Sequence, residues 1–315
     1  MDIILHVGYP KAASTYLQER VFPAAKGVFY LNEEDKVRDR WIRHNINHLD
    51  DREFQRSESN IKDNVDRSVS ELKASRAIFS SEAFTTRLPK KVEERVSLRK
   101  RALRLKRAFG SSAKNVSILI VVRNQVDIIK SRFRYHYGIF RKEMGLNSLN
   151  EFVNYEINNF NGGYMETLLY DKVSELYEDI FGRDNVNVYS MEYVTEHETK
   201  IIRELTGDHK IYIEKNGISD KGIPKKSQKN EGEYIKPNYI YEIAKQVYSP
   251  ISNYINPRSS IFGRAIIRKL QRLPDLLPFS SAKTIFLSEE NKKKIKNVYK
   301  HSNEIMYKKY NVDIQ

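Results

Sequence analysis

The sequence predicts an α/β fold, a parallel sheet flanked by helices, with a helical C-terminal region. Three observations predict it. Short apolar runs at residues 2–9, 76–84, 116–122 and 185–192 are separated by longer helical stretches. The run "NVSILIVVRN" is nearly continuous and β-branched, as strands buried on both faces of a parallel sheet are. The chain has 315 residues, 40% hydrophobic and 30% charged, which is enough for a substantial globular core.

In chain order, "DIILHVGY" reads as the first strand and "STYLQERVF" as a helix with Tyr16, Leu17 and Val21 on one side. "RAIFSSEAF" reads as a second strand, and residues 88–109 as a basic helix opened by Pro89. The buried strand at 116–122 follows, and then "NVNVYSME" after an "FGRD" turn. Strands alternating with helices imply right-handed crossovers, with ligands at the carboxyl ends of the strands. Residues 208–234 are rich in Gly, Lys, Ser and Asn and read as a loop, and residues 237–315 as helical and basic. The expected organisation is a core at 1–207, a basic mobile loop at 208–235 and a helical extension at 236–315 packed on the core.

The 55 basic and 41 acidic residues leave a net charge of +14, a field that favours anionic partners without choosing among them. There is no cysteine, which excludes disulfides and thiolate metal sites and is compatible with a reducing cytoplasm, the expected location. No run approaches the length of a membrane span, and the N-terminus reads as a strand, not a leader. His44 and His48 are one helical turn apart without an intervening acidic base, so they read as surface residues. The basic amphipathic stretch "GRAIIRKLQRLPDLL" offers peripheral contact with the anionic inner face of a membrane.

Two stretches fall at the carboxyl ends of strands. In "HVGYPKAASTYLQ" a strand feeds a helix whose first amides and dipole favour an anion. Gly8 gives room to turn, Pro10 stiffens the turn, and Ala12 and Ala13 let the backbone approach an oxyanion. Lys11 adds a point charge, and Ser14 and Thr15 add hydroxyls. In "RNQVDIIKS", Arg123 stands at the mouth and Ser131 lies about two turns into the helix, so both can reach one phosphate. An alternative is an Arg123–Asp127 surface ion pair.

Together, "PKAAST" and "RNQVDIIKS" resemble the cofactor site of sulfotransferases that use 3′-phosphoadenosine 5′-phosphosulfate, especially bacterial-type carbohydrate sulfotransferases. The chain departs from that pattern at Gln125, where proline is usual, and at Ala13, where glycine is common. The resemblance implies a P-loop NTPase-like sulfotransferase fold, a 5′-phosphosulfate held by Lys11, Ser14, Thr15 and the loop amides, and a 3′-phosphate held by Arg123 and Ser131. It also implies contacts from Lys221 and Gly222 in the late Lys- and Gly-rich segment, adenosine 3′,5′-bisphosphate as product, and no metal.

Sulfuryl transfer is an in-line displacement dominated by positioning and charge stabilisation, with Lys11 at the leaving oxygen. The base that takes the acceptor proton is expected to be Glu82, at the end of the second strand. Glu33 and Glu34 match the family's glycan-modifying branch, and His136 is a further candidate. In "KSRFRYHYGIFRK", Phe133, Tyr137 and Phe140 read as core, while Arg132, Arg134, Tyr135 and His136 are acceptor contacts. The expected partner is a hydroxyl-bearing acceptor, a carbohydrate or glycoconjugate. A small-molecule kinase would need a fuller phosphate loop and a metal-binding Asp. A basic nucleic-acid-binding protein would need a recognised module, and no specific nucleic acid is expected.

Overall fold

The computed structural model describes residues 1–25, 27–30, 36–70, 76–85, 96–110, 113–207 and 286–314. The predicted α/β architecture is present: five parallel strands in the order β2-β3-β1-β4-β5, flanked by helices. They are β1 (Asp2–His6), β2 (Val28–Tyr30), β3 (Arg76–Ser80), β4 (Asn115–Val122) and β5 (Val186–Ser190). β1 and β3 start where expected and β5 one residue later, but all three end sooner than the apolar runs do, because β1 and β3 break at Val7 and Ser81 and β5 passes straight into a helix. β2 is an extra edge strand of three half-buried residues, too short to leave a sequence pattern.

The helices are α1 (Ser14–Tyr16) and α2 (Phe22–Ala24), joined through a π turn at Leu17–Val21, then α3 (Lys36–His48), α4 (Asp51–Ser70) and α5 (Leu98–Phe109). After β4 come α6 (Gln125–Met144), α7 (Leu149–Asn158) and α8 (Tyr170–Phe181). After β5 come α9 (Met191–Glu196), α10 (Glu198–Thr206) and, near the C-terminus, α11 (Glu289–Tyr310).

β4 alternates between two apolar layers. Val116, Ile118, Ile120 and Val122 enter the larger core, beneath α3 to α8 and α11, while Leu119 and Val121 enter the smaller one, with α1, α2 and α10. Both faces are therefore dry, and a polar substitution on either would strand a donor in the core. α11 packs on α6, α7 and α8. Residues 208–285, with the basic loop and the 263–277 stretch, and residues 86–95, with Pro89, lie outside the described residues. Among the described residues no helix is long and apolar enough to cross a membrane.

Not all of the positive charge is on the surface. On α5, buried Arg101 donates to the Val96 and Ala83 carbonyls at 2.9 and 2.8 Å. Buried Arg104 donates to the Ile46 and Leu49 carbonyls at 3.1 and 2.8 Å and to Asp51 at 3.0 Å. These guanidiniums cap carbonyls that no ladder or helix would satisfy.

Strand lengths place the site. His6 is level with Ser80 on one side and Leu119 on the other, but β4 continues to Val122. At about 3.3 Å per residue, Arg123 stands roughly 13 Å beyond the end of β1, beside the loop that rises from it.

Candidate functional site

The loop after β1 is held from below. The Val7 amide donates to the Leu119 carbonyl at 3.0 Å, the Ala12 amide to the Tyr9 carbonyl at 3.1 Å, and the Thr85 hydroxyl to the Gly8 carbonyl at 2.9 Å. Ser14 is buried, and its hydroxyl donates to the Tyr9 carbonyl at 3.0 Å, so it braces the loop; Thr15 is exposed.

Glycine is needed at position 8 for space, not for turning. A β-carbon on Gly8 would lie 2.4 Å from His6 Nε2. The left-handed torsions fall instead on Lys11 (φ 69°) and Ala13 (φ 59°). Such a conformation costs a non-glycine residue about 1–2 kcal/mol and persists only where its surroundings enforce it. Among the described residues no group accepts from the amides of Lys11 or Ala13. Strained backbone and free amides beside a helix start form a concavity suited to an anion.

Arg123 meets this loop directly: its Nη1 donates to the Lys11 carbonyl at 3.1 Å. Its Nη2 lies 3.7 Å from Asp127, so the ion pair considered from sequence is also present, and its buried Nε has no partner. Asn124 caps α6, accepting from the Val126 and Asp127 amides at 2.9 and 3.3 Å. Helical spacing then puts Asp127, half-exposed Ser131 and Tyr135 on one stripe of α6. Lys11 Nζ sits 4.6 Å above the Tyr135 ring, so the loop touches Arg123 just before α6 and Tyr135 on that stripe.

The residues expected to meet an acceptor divide. Tyr135 is exposed and Arg134 half-buried, but Arg132 is 4% exposed, with its guanidinium 5.0 Å from the Tyr164 ring. Burial lowers the Arg132 pKa against the opposing charges of Glu82 and Glu156, and burial raises that of Glu156. His136 lies where α6 leaves helical geometry (φ −108°, ψ 15°). Burial, assisted by the charges of Arg132 and Lys11, lowers its pKa to about 4, so it is neutral at pH 7. Phe133 and Phe140 are core, as predicted, with Tyr137 half-buried against them.

Glu82 opens a short 3-10 turn (Glu82–Phe84) capped by Ser81, whose hydroxyl accepts from the Ala83 amide at 3.3 Å. The Ser81 amide donates to the His6 carbonyl at 2.9 Å, and Arg101 grips the Ala83 carbonyl. Glu82 is thus fixed at the carboxyl edge of the sheet, half-buried, within electrostatic reach of Arg132. Glu33, Glu34, Lys221 and Gly222 lie outside the described residues. The rings of exposed His44 and His48 lie 5.2 Å apart, tilted by 30°, and among the described residues no group of three His, Asp or Glu side chains is arranged for a metal.

Several supporting residues leave no sign in the sequence. His6, Thr85, Tyr9 and Tyr170 hold the site from beneath, and each reads in sequence as an ordinary core residue. A cavity of about 670 Å³ also opens beside Arg123, lined by Asn124, Ser190, Glu192, Tyr193 and residues 311–314. Only the rule that ligands sit beyond the carboxyl ends of parallel strands anticipates it.

No protein-family model matches the chain, and no curated protein matches it. Among solved structures it is similar to a chain described as the crystal structure of a sulfotransferase from Alicyclobacillus acidocaldarius. The identity is 16%, over 78% of this chain and 91% of that one, with a TM-score of 0.44.

Proposed function

We propose that this protein transfers the sulfuryl group of 3′-phosphoadenosine 5′-phosphosulfate to a hydroxyl of a carbohydrate or glycoconjugate. One observation carries the reading: two motifs more than a hundred residues apart converge, with Arg123 donating to the carbonyl of Lys11. A ligand with phosphate at both ends suits such a pair. The free amides of Lys11 and Ala13 would receive the 5′ end, and Arg123 with Ser131 the 3′-phosphate. The cavity beside Arg123, about 670 Å³, has room for the nucleoside.

The donor supplies an activated sulfuryl group on a good leaving oxygen. The chain supplies position and charge. Lys11 would leave the Tyr135 ring to neutralise the leaving oxygen, a short swing for a flexible side chain. Glu82, held by its cap and by Arg101, would take the proton from the acceptor hydroxyl. Exposed Tyr135 offers a ring face to a sugar, and Arg134 a charge. Buried Arg132 would act from behind, balancing Glu82.

Calorimetry with adenosine 3′,5′-bisphosphate tests the site. Lys11→Ala and Arg123→Ala should each weaken binding by about tenfold or more, as loss of a charge-assisted hydrogen bond does. Unchanged affinity in both variants would refute the assignment.

A further inference from the structure

We propose that Tyr170 is a positioning residue for nucleotide recognition, fixing the Arg123 backbone through its hydroxyl and the first loop through its ring. The inference rests on the reading above, in which Arg123 binds a 3′-phosphate.

Arg123 follows the last laddered residue of β4, so the sheet does not hold its carbonyl. The Tyr170 hydroxyl, at the start of α8, donates to that carbonyl at 2.7 Å. The Tyr170 ring is fully buried and meets the Tyr9 ring edge-on, with centroids 4.9 Å apart. Tyr9 is itself pinned, its hydroxyl donating to the Thr167 carbonyl at 2.7 Å, just upstream on the segment that leads into α8. One aromatic pair therefore touches both anion-binding segments from below, while the Arg123–Lys11 contact joins them above. Burial keeps the Tyr170 phenol protonated well beyond the ordinary range, so it remains a donor.

The consequence is geometric. A guanidinium sits at the end of a long side chain, so a small rotation of its peptide plane becomes a large displacement at the phosphate. Without the hydroxyl the Arg123 carbonyl loses its anchor, and the fork loses its aim before it loses its charge.

The test is calorimetry on the full chain with adenosine 3′,5′-bisphosphate and, separately, adenosine 5′-monophosphate. The proteins are wild type, Tyr170→Phe, Arg123→Ala and the double variant. Tyr170→Phe keeps the ring and should bind the bisphosphate on the order of fivefold more weakly, with monophosphate affinity unchanged. In the Arg123→Ala background it should cause no further loss. A purely structural tyrosine would weaken both nucleotides alike, or neither, and either result overturns the proposal. A wild-type chain that does not prefer the bisphosphate overturns the functional reading and this inference together. A wild type that prefers it, with Tyr170→Phe unaltered, overturns this inference alone.

Discussion

Replacing Gly8 with alanine should damage the site through a single atom. The added β-carbon would lie 2.4 Å from His6 Nε2, 3.2 Å from Cε1 and 3.3 Å from Cδ2. The first distance is about 1 Å inside van der Waals contact. The imidazole cannot easily retreat. It is fully buried, its Nδ1 is 2.7 Å from the Ser80 hydroxyl, which also accepts from Gln18 at 2.8 Å, and Phe22 packs edge-on at 5.6 Å. Either the ring gives up its bond to Ser80 or the loop rises. Overpacking costs about 1–3 kcal/mol and a lost hydrogen bond about 1 kcal/mol, so Gly8→Ala should destabilise by about 2–4 kcal/mol. A loop raised by about 1 Å should also weaken adenosine 3′,5′-bisphosphate binding by an order of magnitude or more. Urea titration and calorimetry measure the two effects. His6→Ala in the same chain makes room and should recover part of both, a non-additivity that identifies the clash. A Gly8→Ala protein within about 0.5 kcal/mol of wild type, or one that His6→Ala does not relieve, would refute the reasoning.

Two further outcomes are expected. Glu82→Gln should keep nucleotide affinity while sulfuryl transfer falls by about 10²-fold or more; full turnover would move the base to Glu33, Glu34 or His136. Stability should fall as the pH drops below about 6.5, because the fold holds His6 and His136 neutral while the unfolded chain protonates them. Burial sets the His6 pKa at about 3, so its share is complete above 6.5 and declines all the way down to pH 3; for His136 the decline ends near 4. Between pH 6.5 and 5, above the carboxylate range, His6 accounts for about 2 kcal/mol at most and the more solvent-screened His136 for less. Urea midpoints at pH 7, 6 and 5 check this, and a flat profile would contradict it.

The parallel sheet was legible because its central strands are buried on both faces, and β4 in particular announces itself through Ile118 to Val122. The two segments proposed to bind an anion stood out because small, hydroxyl and basic residues cluster at two strand ends. What surrounds them was not. His6 is one more residue in an apolar run, yet it dictates Gly8. Nothing about Tyr170 or Thr85 distinguishes them from other core positions, because their work is done across 47 and 77 residues of chain. Arg132 looked accessible because helical spacing alone does not reveal that Tyr164 covers its face of α6. The stretch at α5 read only as a basic helix, but Arg101 and Arg104 are internal fasteners.

Lys11 and Ala13 keep left-handed torsions in residues that resist them, where glycine would adopt the same shape freely. A glycine loop would have to freeze anew each time a nucleotide arrived. Here the freezing is done once, when the chain folds, and is maintained by the braces from Ser14, Thr85 and Leu119. On the proposed function, each turnover would begin from a cradle already set, with little disorder left to remove when the nucleotide is captured.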